Sequence, residues 1–368
     1  MKTRKLLMLL LSAAVMVALP SCSDDDGDGT TPGGTSQTDT TSVIIATRYV
    51  QADGHTDVTN DLQRLINEHP NRTIYFPDGV YKITRPLRTP ADPKKSVMLV
   101  LSNYAQIQAA GDWTDGEAMI QLGGSHAAND INTPGSNYGL RGGILEGAGV
   151  ANGVSIDGGR ETTIQNVAIK NVKVGIHVKS GANNGSSDAD VRDVNIVCNN
   201  TQSSIGLLVE GYDNTFTNIR IASVNVGVQL KSSGNILRNV HPLYVAGAQQ
   251  NYATTRGFVV EQSNNWLDFC YSDTFAKAFY LGKDVKVNMT NCFTMWYTGW
   301  DQPEVAIWCE GRFNSVVSTF RADFRNDQPV KSYTLLHAAT GGSGTMSQTI
   351  YPNVRLTDDI SARHIVVK

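Results

Sequence analysis

The chain has 368 residues, 40% of them hydrophobic, enough for a sizeable core. Its net charge of −3 excludes a global basic field of the kind that draws nucleic acid, so no nucleic-acid partner is expected. Charged residues make up only 18% and glycines number 34, a composition suited to stacked strands joined by tight turns.

Residues 1–22 read as a targeting segment. Lys2, Arg4 and Lys5 make a basic start. Leu6 to Leu19 is apolar apart from Ser12 and shorter than a usual membrane span. Leu19-Pro-Ser-Cys22 resembles a bacterial lipobox, with Pro as a departure at the middle position. The resemblance implies that Cys22 is lipidated and becomes the new N-terminus. Ser23-Asp24-Asp25-Asp26 resembles the acidic signal that sends some Gram-negative lipoproteins to the outer face of the outer membrane. The expected location is therefore the outer membrane, lipid-anchored and surface-exposed. Residues 23–42 are Gly, Thr, Ser, Asp and Pro apart from Gln37, a flexible tether.

Residues 43–368 read as one elongated domain: an N-terminal cap over 43–95, coils over 96–330 and a C-terminal cap over 331–368. Asp53-Gly-His-Thr-Asp57-Val-Thr59 leads into an amphipathic helix in which Leu62, Leu65 and Ile66 form the buried stripe. Thr59 is the expected cap of that helix. Ile74-Tyr-Phe-Pro77-Asp-Gly79-Val-Tyr81 follows as a strand and Pro-x-Gly turn. Together these resemble the N-terminal motif of the pectate-lyase-like β-helix superfamily, Asp-Gly-x-Thr-Asp-Asp-Thr, with Val58 in place of an acidic residue. The resemblance implies an all-β fold, a single-stranded right-handed parallel β-helix closed by an N-terminal capping helix. It is weak for activity, since the superfamily includes hydrolases, lyases and phage tail proteins.

Val97–Ala109 and Ala118–Gly147 read as the first coils. From Gly153 the pattern is a repeat. Gly153-Val-Ser-Ile-Asp157, Gly175-Ile-His-Val-Lys179, Gly206-Leu-Leu-Val-Glu210, Gly227-Val-Gln-Leu-Lys231, Gly257-Phe-Val-Val-Glu261, Ala278-Phe-Tyr-Leu-Gly282 and Ala306-Ile-Trp-Cys-Glu310 are spaced 22, 31, 21, 30, 21 and 28 residues apart. The second and fourth residues are apolar and the third and fifth mostly polar, which is strand periodicity with one buried face. Repeats of this length made only of strands and turns indicate a parallel β-helix, and the extra residues fall between strands.

A second column places Asn or Asp at a bend: Asn166, Asp193, Asn218 and Asn239, with weaker copies at Asp268, Asn291 and Ser318. Asn tolerates the left-handed backbone such a bend needs. Asn218 and Asn239 are expected inside, bonded to backbone or to each other between coils. Cys198, Cys270, Cys292 and Cys309 have no metal-motif spacing; Cys292 and Cys309 fall at inward positions. After Val330 the repeat fades into a tail with strands at Tyr333–His337, Ser347–Tyr351 and His364–Val367.

The superfamily resemblance implies a cleft along the first strand of each coil, walled by loops. The long loops Leu243–Arg256 and Thr294–Val305 hold Tyr252 and Trp300, whose faces suit sugar rings. The outward fifth-residue column reads Asp157, Lys179, Glu210, Lys231, Glu261, Gly282, Glu310; the third reads Ser155, His177, Leu208, Gln229, Val259, Tyr280, Trp308. Alternating charges about 4.8 Å apart make either an ion-pair ladder or a site.

Glu210 and Glu261, two coils apart at roughly 9.5 Å, reach the upper edge of the inverting-glycosidase separation. Lys231 between them lowers carboxylate pKa values, which harms a general acid, and two glutamates raise the pKa of Lys231, which harms a lyase base. The candidate catalytic residues are Glu210, Lys231, Glu261 and His177; the candidate substrate-binding residues are Lys179, Tyr280, Trp300, Trp308 and Tyr252. The motifs of polygalacturonase relatives are missing from the repeat, and no acidic cluster suggests calcium, so neither metal nor cofactor is expected. The expected function is that of an exported lipoprotein acting on polysaccharide, by hydrolysis or elimination of a glycan that can include uronate. The alternative is a non-catalytic glycan-binding or adhesion protein.

Overall fold

The structure is a computed structural model that describes residues 42–114, 116–123, 138–180, 186–246, 251–297, 304–324, 334–349 and 366–367. Cys22, the tether as far as residue 41, and Trp300 lie outside the described residues.

Ten strands stack in chain order into one parallel sheet. They are Leu87–Arg88, Ala118–Gly123, Asn152–Asp157, Val174–Val178, Ile205–Val209, Val226–Leu230, Arg256–Val260, Lys277–Leu281, Val305–Cys309 and Thr334–Ala338. The remaining strands of each coil stack likewise, as Asp190–Cys198 does on Thr215–Ala222 and that on Ile236–Leu243. The chain is thus a parallel β-helix. Its register follows the repeat: Val154, Ile176, Leu207, Val228, Phe258, Phe279, Ile307 and Leu336 sit on successive rungs, each no more than 2% exposed. The leading glycines are needed for space. A Cβ on Gly175 would lie 2.4 Å from the Gly206 carbonyl oxygen and 2.5 Å from Ile196 Cγ2.

The helix Thr59–Glu68 buries Leu62, Leu65 and Ile66 as expected. Thr59 does not cap it. Thr59 is the first helical residue, and its N–H donates to Asp57 Oδ1 at 3.0 Å, so the preceding carboxylate serves the helix start. Gln63 closes the sheet. Its Nε2 donates to the Arg88 carbonyl at 2.8 Å and its Oε1 accepts from the Arg88 N–H at 2.8 Å, the two bonds a further strand would make. In the Asp-Gly-x-Thr motif, Asp53 accepts from the N–H groups of His55 and Thr56, both at 2.8 Å, around Gly54 at φ +75°. The motif is a turn, not a catalytic group.

From Asn166 onward the bend column is left-handed on every described rung: Asn166, Asp193, Asn218, Asn239, Phe269, Asn291, Thr319 and Gln348 all have φ between 51° and 57°. In the weaker copies register puts the bend at Phe269 and Thr319, one residue past Asp268 and Ser318. The backbone conformation repeats there even though the polar residue does not.

Asn239 Nδ2 donates to Asn218 Oδ1 at 2.8 Å, and Asn218 Nδ2 to Asp193 Oδ1 at 2.9 Å. These side chains bond to each other but lie outside, with Asn218 exposed, which corrects the expectation that they are internal. The internal ladder is a different one. Asn214 Nδ2 donates to Asn235 Oδ1 at 3.0 Å and Asn235 Nδ2 to Asn265 Oδ1 at 3.2 Å, all three fully buried.

Cys292 and Cys309 are buried, as their inward positions require, and the four described cysteines are free. Thr334–Ala338 pairs with Val305–Cys309, so the sheet continues one rung past Val330, where the repeat was expected to stop.

Candidate functional site

The outward face of the ten-stranded sheet carries two clusters of different character. On the earlier rungs the charges neutralise one another. Lys179 Nζ lies 3.2 Å from Asp157 Oδ2 and pairs also with Glu117. Burial works against the Lys179 ammonium, but those two carboxylates outweigh it and raise its pKa.

Glu210 has two partners. Lys231 Nζ lies 3.1 Å from Oε1, and His177 Nε2 donates to Oε2 at 2.9 Å. Burial alone would raise the Glu210 pKa; the bonds from His177 and Lys231 overcome it and hold the carboxyl below its usual range. Lys231 does not reach Glu261. Glu261 is exposed and accepts from Gln229 Nε2 at 2.5 Å. The four catalytic candidates are therefore split: Glu210, His177 and Lys231 form one bonded group, and Glu261 stands apart.

On the later rungs the picture changes. Arg256 and Lys277 are in register on adjacent strands. They occupy the outward position one residue before the Gly or Ala that opens each repeat line. Arg256 donates from one guanidinium nitrogen to the carbonyls of Ala253 and Thr255, each at 3.1 Å. Lys277 Nζ sits 3.7 Å from the centroid of the Trp308 ring and 5.5 Å from that of Tyr280. Burial, then the neighbouring Arg256 charge, pushes the Lys277 ammonium down to about 8. Tyr280 donates its hydroxyl to Glu310 Oε1, with the Arg256 guanidinium 5.0 Å from its ring centroid. Burial, then that bond to Glu310, raises the Tyr280 phenol to about 12.

Trp308 stacks on His337 of the next rung, with centroids 3.8 Å apart. Two cavities of about 430 and 270 Å³ meet at Lys277, Trp308 and His337; the larger also reaches Tyr280, Lys283 and Glu310. Among the substrate-binding candidates, Tyr280 and Trp308 line these cavities, and Lys179 belongs to the earlier cluster. Tyr252 packs against Tyr244, 5.3 Å between centroids, and against the core.

Sequence reasoning missed Arg256, Lys277 and His337. Strict alternation would have put the first two on the inward side with the second and fourth residues; they face out because the alternation breaks at the opening Gly257 and Ala278, which are buried along with the residue after each. His337 lay beyond the point where the repeat was read to end. Glu310 was read in the outward column but not singled out.

A parallel β-helix with an open lateral face of this kind defines a class. Residues 45–259, more than half of the chain, match the family described as Rhamnogalacturonase A/epimerase, pectate lyase-like, and the chain belongs to that family. No curated protein matches the chain by sequence.

Solved structures share the fold. A mutant tailspike protein of E. coli bacteriophage HK620 in complex with pentasaccharide is 14% identical, with a TM-score of 0.60 over 86% of this chain and 62% of that one. The catalytic unit of the thermostable GH87 alpha-1,3-glucanase from Streptomyces thermodiastaticus strain HF3-3 is 13% identical, with a TM-score of 0.56 over 89% and 67%. ORF18 of Geobacillus virus E2 is 12% identical, with a TM-score of 0.50 over 84% and 58%. The chain thus spans about three fifths to two thirds of these proteins.

Proposed function

We propose that this protein is an exported lipoprotein, anchored through Cys22 in the outer membrane, that cleaves polysaccharide on the outward face of the ten-stranded sheet. One observation carries the reading: two cavities meet at Lys277, Trp308 and His337 beside the Tyr280–Glu310 pair, on the face where the coils leave an open groove. The family, and the saccharide named with the tailspike, support a glycan as the ligand.

Glu310 is the acid–base group of this reading, oriented by Tyr280. Glu261 stands two rungs away across Gly282, a position with no side chain to fill the gap. Glu210, His177, Lys231 and Lys179 extend the groove toward earlier rungs and hold the sugar chain by hydrogen bonds rather than by chemistry. Cleavage proceeds by hydrolysis or by elimination, and the products tell them apart: hydrolysis adds water, whereas elimination leaves a carbon–carbon double bond.

Incubation with a panel of acidic and neutral polysaccharides, with products read by mass, tests the proposal. Oligosaccharides released by the wild type and not by Glu310→Gln support it. No product from any member, with glycan still retained on an affinity gel, leaves the protein a binder. That second reading is favoured by one observation: both Glu210 oxygens are held by His177 and Lys231 and its carboxyl lies below the usual range, which suits a fixed anion and not a general acid. Anchoring is tested separately, since Cys22→Ser should release the protein from membranes or leave it unprocessed.

A further inference from the structure

The cations of the outward face fall into two groups. Lys179 and Lys231 each have a carboxylate within 3.2 Å. Arg256 and Lys277 form no ion pair among the described residues, and Lys277 makes no hydrogen bond there; its ammonium rests on Trp308. The two are on adjacent rungs, about 4.8 Å apart along the stack. Both are half-buried, and Lys277 lines both cavities. The Arg256 guanidinium and the Lys277 ammonium lie 5.0 and 5.5 Å from the centroid of the same Tyr280 ring, so the like charges repel, and partial burial removes the water that would screen them. Placing an anion between them relieves both costs.

We propose that Arg256 and Lys277 form a seat for an acidic group of the glycan, a carboxylate or a sulfate ester. The proposal rests on the reading that this face holds polysaccharide.

The groups facing Lys277 are Arg256 on the preceding rung, Tyr280 on its own strand, Lys283 just after it, Glu310 on the next strand and His337 one rung further. Glu310 is the one acid among them, and its Oε1 already accepts from Tyr280. With the ammonium at about 8 in the free protein, a good part of Lys277 is neutral in mildly alkaline solution. An anion within about 4–6 Å favours the charged form, so the bound state holds the proton more tightly than the free state. The sign follows. Affinity for an acidic sugar is level below pH 8 and falls by up to about tenfold per unit above it. Affinity for a neutral sugar does not follow that curve. Arg256 keeps its charge throughout and fixes where the acid sits.

The test uses the full chain with lysines reductively dimethylated by ¹³C-formaldehyde. The Lys277 resonance is assigned by its loss in Lys277→Arg. Its titration is followed alone, with trigalacturonate, with a sulfated galacto-oligosaccharide lacking carboxylate, and with neutral galactotriose. We expect the midpoint to climb by about one unit or more with at least one acidic sugar and to stay put with the neutral one. Whichever acidic sugar moves it identifies the carboxylate or the sulfate as the occupant. A midpoint that neither acidic sugar shifts, or that galactotriose shifts equally, overturns the seat. Polysaccharide release is measured in parallel. A moved midpoint without cleavage of any glycan rejects the enzymatic reading and keeps the seat; cleavage with an unmoved midpoint does the reverse.

Discussion

The two halves of the outward face use the same device to opposite ends. On the earlier rungs, Asp157, Lys179, Glu210, Lys231 and His177 face one another across a rung spacing and each finds its partner within the protein. On the later rungs, Arg256 and Lys277 meet across the same spacing as like charges, and the cavities open beside Lys277. A register that lines up unlike residues makes a ladder that holds the coil together. The same register with like residues leaves something for a ligand to complete.

Turnover gives the largest expected contrast between the halves. Glu310→Gln should reduce kcat/KM by about 10²–10⁴-fold, the usual worth of a positioned acid–base group. Glu210→Gln should change it by far less. Steady-state kinetics on the best substrate of the panel decides; equal losses at both positions would erase the distinction between the halves.

Inside the coil the paired device can be broken directly. Asn235 joins the buried ladder in both directions. Asn235→Ala should cost about 1–3 kcal/mol, because neighbouring buried groups lose their partners. A melting temperature equal to wild type would remove the internal ladder as a source of stability.

Mutation should change stability with opposite signs in the two halves, each over its own pH range. The Lys277 pKa is lowered from 10.5 to about 8, so its penalty is full below pH 8 and fades between about 8 and 10.5. Lys277→Met should therefore melt higher than wild type at pH 7, with the gap closing as pH rises. Glu210 is depressed, so its contribution is present above the usual carboxylate range and is lost as pH falls through the folded value. Glu210→Gln should cost under about 1 kcal/mol at pH 7 and nothing once acid has protonated the wild-type carboxyl. Thermal melts across pH read both; gaps of the same sign would contradict the paired and unpaired assignment.

The smallest effect is expected at the surface column. Asn218→Ala removes bonds made in solvent and should stay within about 0.5 kcal/mol by denaturant titration.

The coils were legible because a strand with one buried face writes period two into the sequence, and Gly175 or Gly206 marks where two rungs press close. The bend column was legible where Asn supplied the left-handed backbone and slipped by one where Phe269 and Thr319 did. The buried Asn214, Asn235 and Asn265 were missed because each stands just before a strand or at its first residue, where Asn normally signals a solvent turn. Within the site, outward columns were readable as columns. Which charges pair was not, since side-chain reach let Glu210 take His177 from a neighbouring column and leave Glu261 aside. His337 was missed for a different reason: its rung has Thr334 at the start and no leading Gly.

The amide of Gln63 has a consequence for how this protein keeps in concentrated solution. A stack of parallel strands is a one-dimensional crystal, and an exposed terminal rung is the surface on which another chain can add. By returning both bonds that Arg88 has to give, Gln63 makes that end inert toward growth. Replacing it with alanine should leave the coils folded yet make the solution prone to fibre-like association during storage.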